Sequence, residues 1–203
     1  MSIHKVRSNF WAGLIILGVC NFATASELAE GCNDCHGRNG NSETAGVPSI
    51  AGISEYYFLD TMALFAEGVR PSSDNKRSDG SLTSMKQVAE KLSEEQVNEL
   101  AGFFAKQTFE RKAQPFSEEK ALLGKTIHAQ NCERCHEDAG RSVEDDAGLL
   151  AGQNKMYLEN VFKQIGSGEL VLNDKMMKKI KRVKAKHGEV GFDSLVDYYA
   201  SEL

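Results

Sequence analysis

Two copies of one five-residue pattern, Cys32-Asn33-Asp34-Cys35-His36 and Cys132-Glu133-Arg134-Cys135-His136, lie one hundred positions apart and use every cysteine beyond Cys20. The pattern is that of a c-type haem attachment site. Cysteines at i and i+3 share one side of a helical turn, so their sulfurs can add to the two vinyl groups of one porphyrin, and a histidine at i+4 can reach the iron. Two covalently bound haem c groups are therefore expected. Cys32, Cys35, Cys132 and Cys135 would be the tethers, and His36 and His136 the first iron ligands.

Two other uses of paired cysteines are weighed against this. A zinc site would need four converging ligands from knuckles about 12 to 20 residues apart, whereas these pairs are separated by almost a whole small domain. A redox disulfide within each Cys-x-x-Cys does not explain the histidine that follows both pairs, nor the absence of a strand-rich pattern around them.

Residues 1–25 read as an export leader, with basic His4, Lys5 and Arg7, an apolar run from Phe10 to Val19, and a small-residue cleavage site at Ala23-Thr24-Ala25. The run falls short of the roughly 20 residues needed to cross a bilayer, so no stable membrane span is expected. Val19 before Cys20 is a poor fit to a lipoprotein signal. Cleavage after Ala25 sends the chain to the periplasm and leaves four cysteines. It also leaves 22 Lys+Arg against 29 Asp+Glu, a balance that excludes nucleic acid as a partner.

The remaining length, about 178 residues, allows one domain or two, and an internal repeat decides for two. At an offset of one hundred, Ala51-Gly52 falls on Ala151-Gly152, Tyr57 on Tyr157 and Gly68 on Gly168. Near the ends, Leu100-Ala101-Gly102-Phe103-Phe104-Ala105 matches Leu195-Val196-Asp197-Tyr198-Tyr199-Ala200 at an offset of 95. A unit of about 85 residues has a marginal core unaided, and a buried porphyrin adds apolar volume. The expected domains are 26–110 and 111–203.

The pattern within each unit is helical. Helices are expected over 26–35, 53–67, from Ser93 onward with Gln96 in the first turn, then over 117–129, 155–165 and 192–203, with a linker over 108–115 and no strands. The sixth iron ligand separates a carrier from a catalyst. Met85 lies in a polar stretch where core packing does not explain it, while Met62 sits on an apolar helix and is expected to fill the core. In the second unit Met156 belongs to the equivalent helix, which leaves Met176 and Met177. His128 and His187 are expected to be surface or satisfied side chains. A histidine and a methionine together close the iron to oxygen and peroxide and raise its potential.

These features resemble the diheme class I cytochromes c, an all-α fold of two tandem domains. Within that group the chain is most similar to the cytochrome subunit of flavocytochrome c sulfide dehydrogenase. The likeness rests on Gly102-Phe103-Phe104-Ala105-Lys106-Gln107-Thr108-Phe109, Asn131-Cys132-Glu133-Arg134-Cys135-His136, Leu149-Leu150-Ala151-Gly152-Gln153 with Tyr157-Leu158, and Tyr199-Ala200-Ser201-Glu202-Leu203. It implies Met85 and Met176 as the methionine ligands. It also implies an FAD-containing flavoprotein subunit that delivers single electrons, and a soluble acceptor such as a cytochrome c. Pro48 is expected either to hold His36 through its carbonyl or to serve as a loop turn, and Gly148 stands in the same place in unit two. The polar stretch 72–81 is longer than the family pattern.

Residues 26–110 carry 14 Asp+Glu against 7 Lys+Arg, and residues 111–203 carry 15 of each. The positive charge concentrates in Lys175, Lys178, Lys179, Lys181, Arg182, Lys184 and Lys186, either a solvated face or a surface that steers an acidic partner. Arg70 and Arg77 are candidate partners for haem propionates. The expected activity is electron transfer as the subunit of a sulfide-oxidising complex. A free diheme shuttle to a terminal oxidase is the alternative. A diheme peroxidase is disfavoured because it needs an iron without a strong sixth ligand.

Overall fold

The computed structural model describes residues 25–144 and 146–202. Apart from Ala25, the leader expected over 1–25 lies outside the described residues.

Among the described residues eight α-helices carry the fold: α1 Ala25–His36, α2 Glu55–Ala66, α3 Met85–Ala89, α4 Glu94–Ala105, α5 Glu118–Asn131, α6 Glu137–Gly140, α7 Lys155–Ser167 and α8 Asp174–Ser201. Side-chain oxygens start most of them. Ser54 accepts from Tyr57 N–H and Asn154 from Tyr157 N–H at the heads of α2 and α7. Ser93 and Gln96 form a reciprocal capping box at α4, which satisfies two N–H groups that a helix leaves open at its first turn.

Three corrections to the sequence-based expectation follow. Residues 75–76 and 82–83 pair as a short antiparallel hairpin, β1 and β2, where no strand was expected. A further helix, α3, begins at Met85 behind a Ser84–Gln87 capping box. A helical segment from Asp174 to the break at Gly188, where φ is 62°, was not expected, and it precedes the terminal helix that was expected over 192–203.

Two apolar clusters form, and the repeat is visible in both. In the first, Ala29 of α1 meets Leu100, Ala101 and Phe104 of α4, with Phe58 and Met62 of α2 beside them. In the second, Ile127 of α5 meets Leu195, Val196 and Tyr199 of α8, with Leu158 and Ile165 of α7. In each unit a first helix thus crosses a last helix, and a middle helix packs on the pair.

The equivalence extends to single hydrogen bonds. Gly40 O accepts from Ile50 and Ala51 N–H, and Gly140 O from Leu150 and Ala151 N–H; Gly52 N–H donates to Phe104 O and Gly152 N–H to Tyr199 O, both at 2.8 Å. These bonds tie the loop after each histidine to the last helix of its own unit.

The units meet through loops. Gln153, 3% exposed, accepts from Ser49 N–H at 2.8 Å and donates to Ser49 O at 3.0 Å. Asn154 Oδ1 accepts from Gly46 N–H, and Leu149 is buried in the core of the first unit. The connecting segment is held at both ends: Asn41 donates to Thr108 O and accepts from Glu110 N–H, while Gln114 donates to Gln153 O and accepts from Lys155 N–H.

The crossing of α5 and α8 depends on Gly124, where a Cβ would stand 1.9 Å from Ser194 O. Main chain cannot yield as a flexible side chain does, so Gly124→Ala is expected to destabilise the fold by about 1–3 kcal/mol. Thermal unfolding followed by circular dichroism checks this, with a fall in melting temperature expected.

Candidate haem-attachment sites

Motif one occupies the last turn of α1, and motif two follows α5 as a turn in which Cys135 and His136 N–H donate to Cys132 O. None of the four motif cysteines forms a disulfide. Burial pushes the Cys32 and Cys132 thiols up to about 11 and raises Cys35 as well. These three raised thiols are unlike the low-pKa thiolates of disulfide-exchange motifs. Among the described residues no three His, Cys, Asp or Glu side chains converge as a metal cluster, which leaves zinc without a ligand set.

Both motif histidines are buried, at 7% and 8% exposure, and burial lowers the pKa of each. Their second shells differ. His36 Nδ1 lies 2.8 Å from Pro48 O; as donor in that bond it leaves the Nε2 lone pair free for a metal, in a fixed ring orientation. His136 Nδ1 is buried with no hydrogen-bond partner, although the Gly148 carbonyl is near enough to oppose the fall in its pKa. A buried imidazole withdrawn from water beside a pair of cysteines fits a covalently tethered porphyrin. It does not fit a surface proton relay.

The methionines separate by burial. Met62 is a core residue at 6% exposure, as expected. Met85 is the first residue of α3 and packs, half-buried, against the cluster that also touches Cys32. Met156 lies on α7 but faces outward at 49% exposure. Met176 and Met177 are both half-buried in the first turn of α8 and both pack against the cluster that touches Cys132.

His128 is buried and fully bonded, with Nδ1 3.0 Å from Tyr199 Oη and Nε2 2.5 Å from Glu133 Oε2, as a satisfied side chain should be. His187 differs from that expectation, since its Nε2 is buried without a partner.

The two arginines expected near propionates go to different places. Arg77, on the hairpin, pairs with Asp34 at 3.1 Å, inside motif one. Ser78 N–H donates to both Asp34 oxygens at 3.1 and 3.2 Å, and hydrogen bonds from the Ser78 side chain and then its backbone, ahead of Arg77, hold the Asp34 carboxyl below its usual range. Arg70 reaches across to unit two, where its Nη2 donates to Tyr157 Oη at 3.0 Å.

Of the seven basic residues expected to form one face, Lys175, Lys178, Lys181, Arg182, Lys184 and Lys186 are exposed on the first half of α8. Among the described residues only Lys184 of these pairs with a carboxylate, that of Glu189 at 3.2 Å. No helix among the described residues is long and apolar enough to cross a membrane.

No family model matches the chain. The chain is 31% identical over 175 residues to the thiosulfate dehydrogenase electron acceptor of Thiomonas intermedia, covering 80% of this chain and 73% of that protein. It is 30% identical over 163 residues to cytochrome c4 of Azotobacter vinelandii, covering 71% and 75%. The crystal structure of reduced cytochrome c4 from Pseudomonas stutzeri superposes with a TM-score of 0.69 at 22% identity, over 88% of this chain and 97% of that one.

Proposed function

The chain belongs to the c4-like family of diheme class I cytochromes c, electron-transfer proteins with two covalently bound haem c groups, and on that premise we propose that it accepts electrons from a dehydrogenase acting on an inorganic sulfur compound and passes them to a soluble carrier such as a cytochrome c. When bound, each haem supplies a one-electron iron couple. The chain's own residues decide what reaches it.

In this reading Cys32 with Cys35, and Cys132 with Cys135, hold the two porphyrins, and His36 and His136 ligate the irons. Met85 and Met176 close the opposite faces. The observation that carries the reading is the pairing, in each unit, of a buried histidine with a half-buried methionine packed on the cluster that touches the motif's first cysteine. With both faces closed, small ligands are excluded and only electrons pass, which disfavours the diheme peroxidase.

Helical geometry supports Met176 over Met177. At 100° per residue, Met176 shares a face with Ile180 and Val183, both buried, whereas Met177 points about a quarter-turn away. Met176→Ala is expected to open one of the two haems, so that the reduced protein binds carbon monoxide at half its irons and the midpoint potential of that haem falls. Met177→Ala is expected to leave both readings unchanged. The reverse pattern assigns the ligand to Met177.

The choice of a sulfur compound rests on the relative named as the electron acceptor of thiosulfate dehydrogenase. The second reading, a subunit bound to an FAD-containing sulfide dehydrogenase, rests on the sequence stretches named above. A free shuttle to a terminal oxidase needs neither partner. The basic first half of α8 lies beside Met176 and suits an acidic docking surface. The leader pattern over 1–25 supports a periplasmic location after cleavage, and the segment without helix or strand over 108–117 supports a boundary between domains near residue 110.

Stopped-flow reduction of the oxidised, haem-loaded protein tests the partner. Thiosulfate with a thiosulfate dehydrogenase is expected to reduce the haems, while thiosulfate alone does not. Raising the salt from 0.05 to 0.5 M, or the triple change Lys178→Glu, Lys181→Glu and Arg182→Glu, is expected to slow the second-order rate about tenfold. Faster reduction by sulfide with a flavoprotein selects the second reading. No reduction by either enzyme overturns the donor assignment.

A further inference from the structure

Unit one is longer than unit two at one place. Gly68 and Met85 stand 17 positions apart, whereas Gly168 and Met176, their counterparts on the ligand assignment above, stand 8 apart. The added length folds as the β1–β2 hairpin. Its turn is closed by Arg77 N–H to Ser81 O at 2.8 Å and by Gly80 N–H to Arg77 O at 3.0 Å, and Asp79 accepts from both the N–H and the hydroxyl of Ser81.

The hairpin is anchored at both ends. At its tip Arg77 pairs with Asp34 at 3.1 Å and donates to Gly31 O, while Ser78 N–H donates to the Asp34 carboxylate. At its base Ser72 Oγ accepts from Lys86 N–H at 3.3 Å, one residue past Met85. The tip therefore sits on the last turn of α1 and the base at the head of α3. Little else holds it, since none of its four strand residues is buried. A two-stranded hairpin is marginal on its own, and a segment with few apolar contacts opens readily. The polar anchors decide whether it stays down.

A porphyrin tied to Cys32 and Cys35 and ligated by His36 and Met85 has to lie between the motif and the head of α3. The hairpin runs from one to the other. Exposure differs between the units accordingly: Cys35 is half-buried where Cys135 is exposed, and Asp34 is half-buried where Arg134 is exposed.

We propose that the hairpin is a strap over the cysteine-bearing edge of haem one, held down by Asp34, Arg77 and Ser78, which slows electron exchange between that haem and molecules in solution while the edge of haem two stays open. This rests on the haem-attachment reading and is independent of which dehydrogenase is the donor. Exchange at haem one then follows the fraction of molecules in which the strap is raised.

Stopped-flow oxidation of the fully reduced, haem-loaded protein by a large excess of ferricyanide tests the strap without any protein partner. Each ferrous haem passes one electron to one ferricyanide, and 0.5 M salt screens surface charge. Two phases of equal amplitude are expected, the slower from haem one. Asp34→Ala, Arg77→Ala and Ser78→Pro each remove an anchor, and each is expected to speed the slow phase about fivefold while leaving the fast phase unchanged. Proline suits the second position of the Arg77–Gly80 turn and deletes the Ser78 N–H. The three changes remove a negative charge, a positive charge and no charge, so a common direction is not electrostatic. A single phase in the parent protein, a slow phase unchanged in all three variants, or opposite responses of Asp34→Ala and Arg77→Ala overturn the proposal. Should Asp34→Ala, which lies inside the motif, fail to take up both haems, Arg77→Ala and Ser78→Pro decide, and an unchanged slow phase in both overturns it. Absence of haem from the unmodified protein is a different failure, of the premise.

Discussion

The close crossing of first and last helices fixes everything else in each unit. In unit two, α5 and α8 approach so tightly at Gly124 that only backbone fits against Ser194 O. The last helix then offers one carbonyl, Phe104 O or Tyr199 O, to anchor the loop that follows the motif histidine. That loop ends in Ala51-Gly52 or Ala151-Gly152 and carries Pro48 or Gly148 just before. The position of the imidazole therefore follows from helix packing two steps away, through main-chain bonds that do not depend on side-chain identity.

On this common frame the two units are chemically unequal. His36 is held by the Pro48 carbonyl at 2.8 Å, while the Gly148 carbonyl lies near His136 without closing an equally good bond to Nδ1. A hydrogen bond to the second ring nitrogen fixes an imidazole's orientation, and the Pro48 bond does so for His36. Motif one carries Asp34 under the hairpin, where motif two carries the exposed Arg134. Unit one is acidic, and unit two holds the lysine-rich half of α8. The Gln153–Ser49 and Arg70–Tyr157 contacts join the two unequal units.

What could be read from the sequence was what repeats or follows a local rule. The doubled motif, the offsets of 100 and 95, the Ser93 cap and the core role of Met62 all have signals within a few residues, and the fold class follows from them. The change of offset even locates the extra length, which is the hairpin. Its strands could not be read, because they are two residues each and exposed, and the Asp34 that holds them lies 44 positions away. The head of α8 was hidden for another reason: lysines crowd the segment, and only Met176, Ile180 and Val183 mark its buried face. Contacts between the units, such as Arg70 with Tyr157, join residues 87 apart and leave no local pattern at all. Met156 shows the converse limit, since its helix was correctly placed while its outward direction was not legible from spacing.

All of this depends on two porphyrins held covalently, each iron capped by histidine and methionine. Pyridine haemochrome quantitation of protein matured in a host that attaches haem, combined with exposure of the reduced protein to carbon monoxide, tests that most directly. Two haems per chain and an unaltered reduced spectrum are predicted. One haem or none, or ready carbon monoxide binding at both irons, would contradict the account.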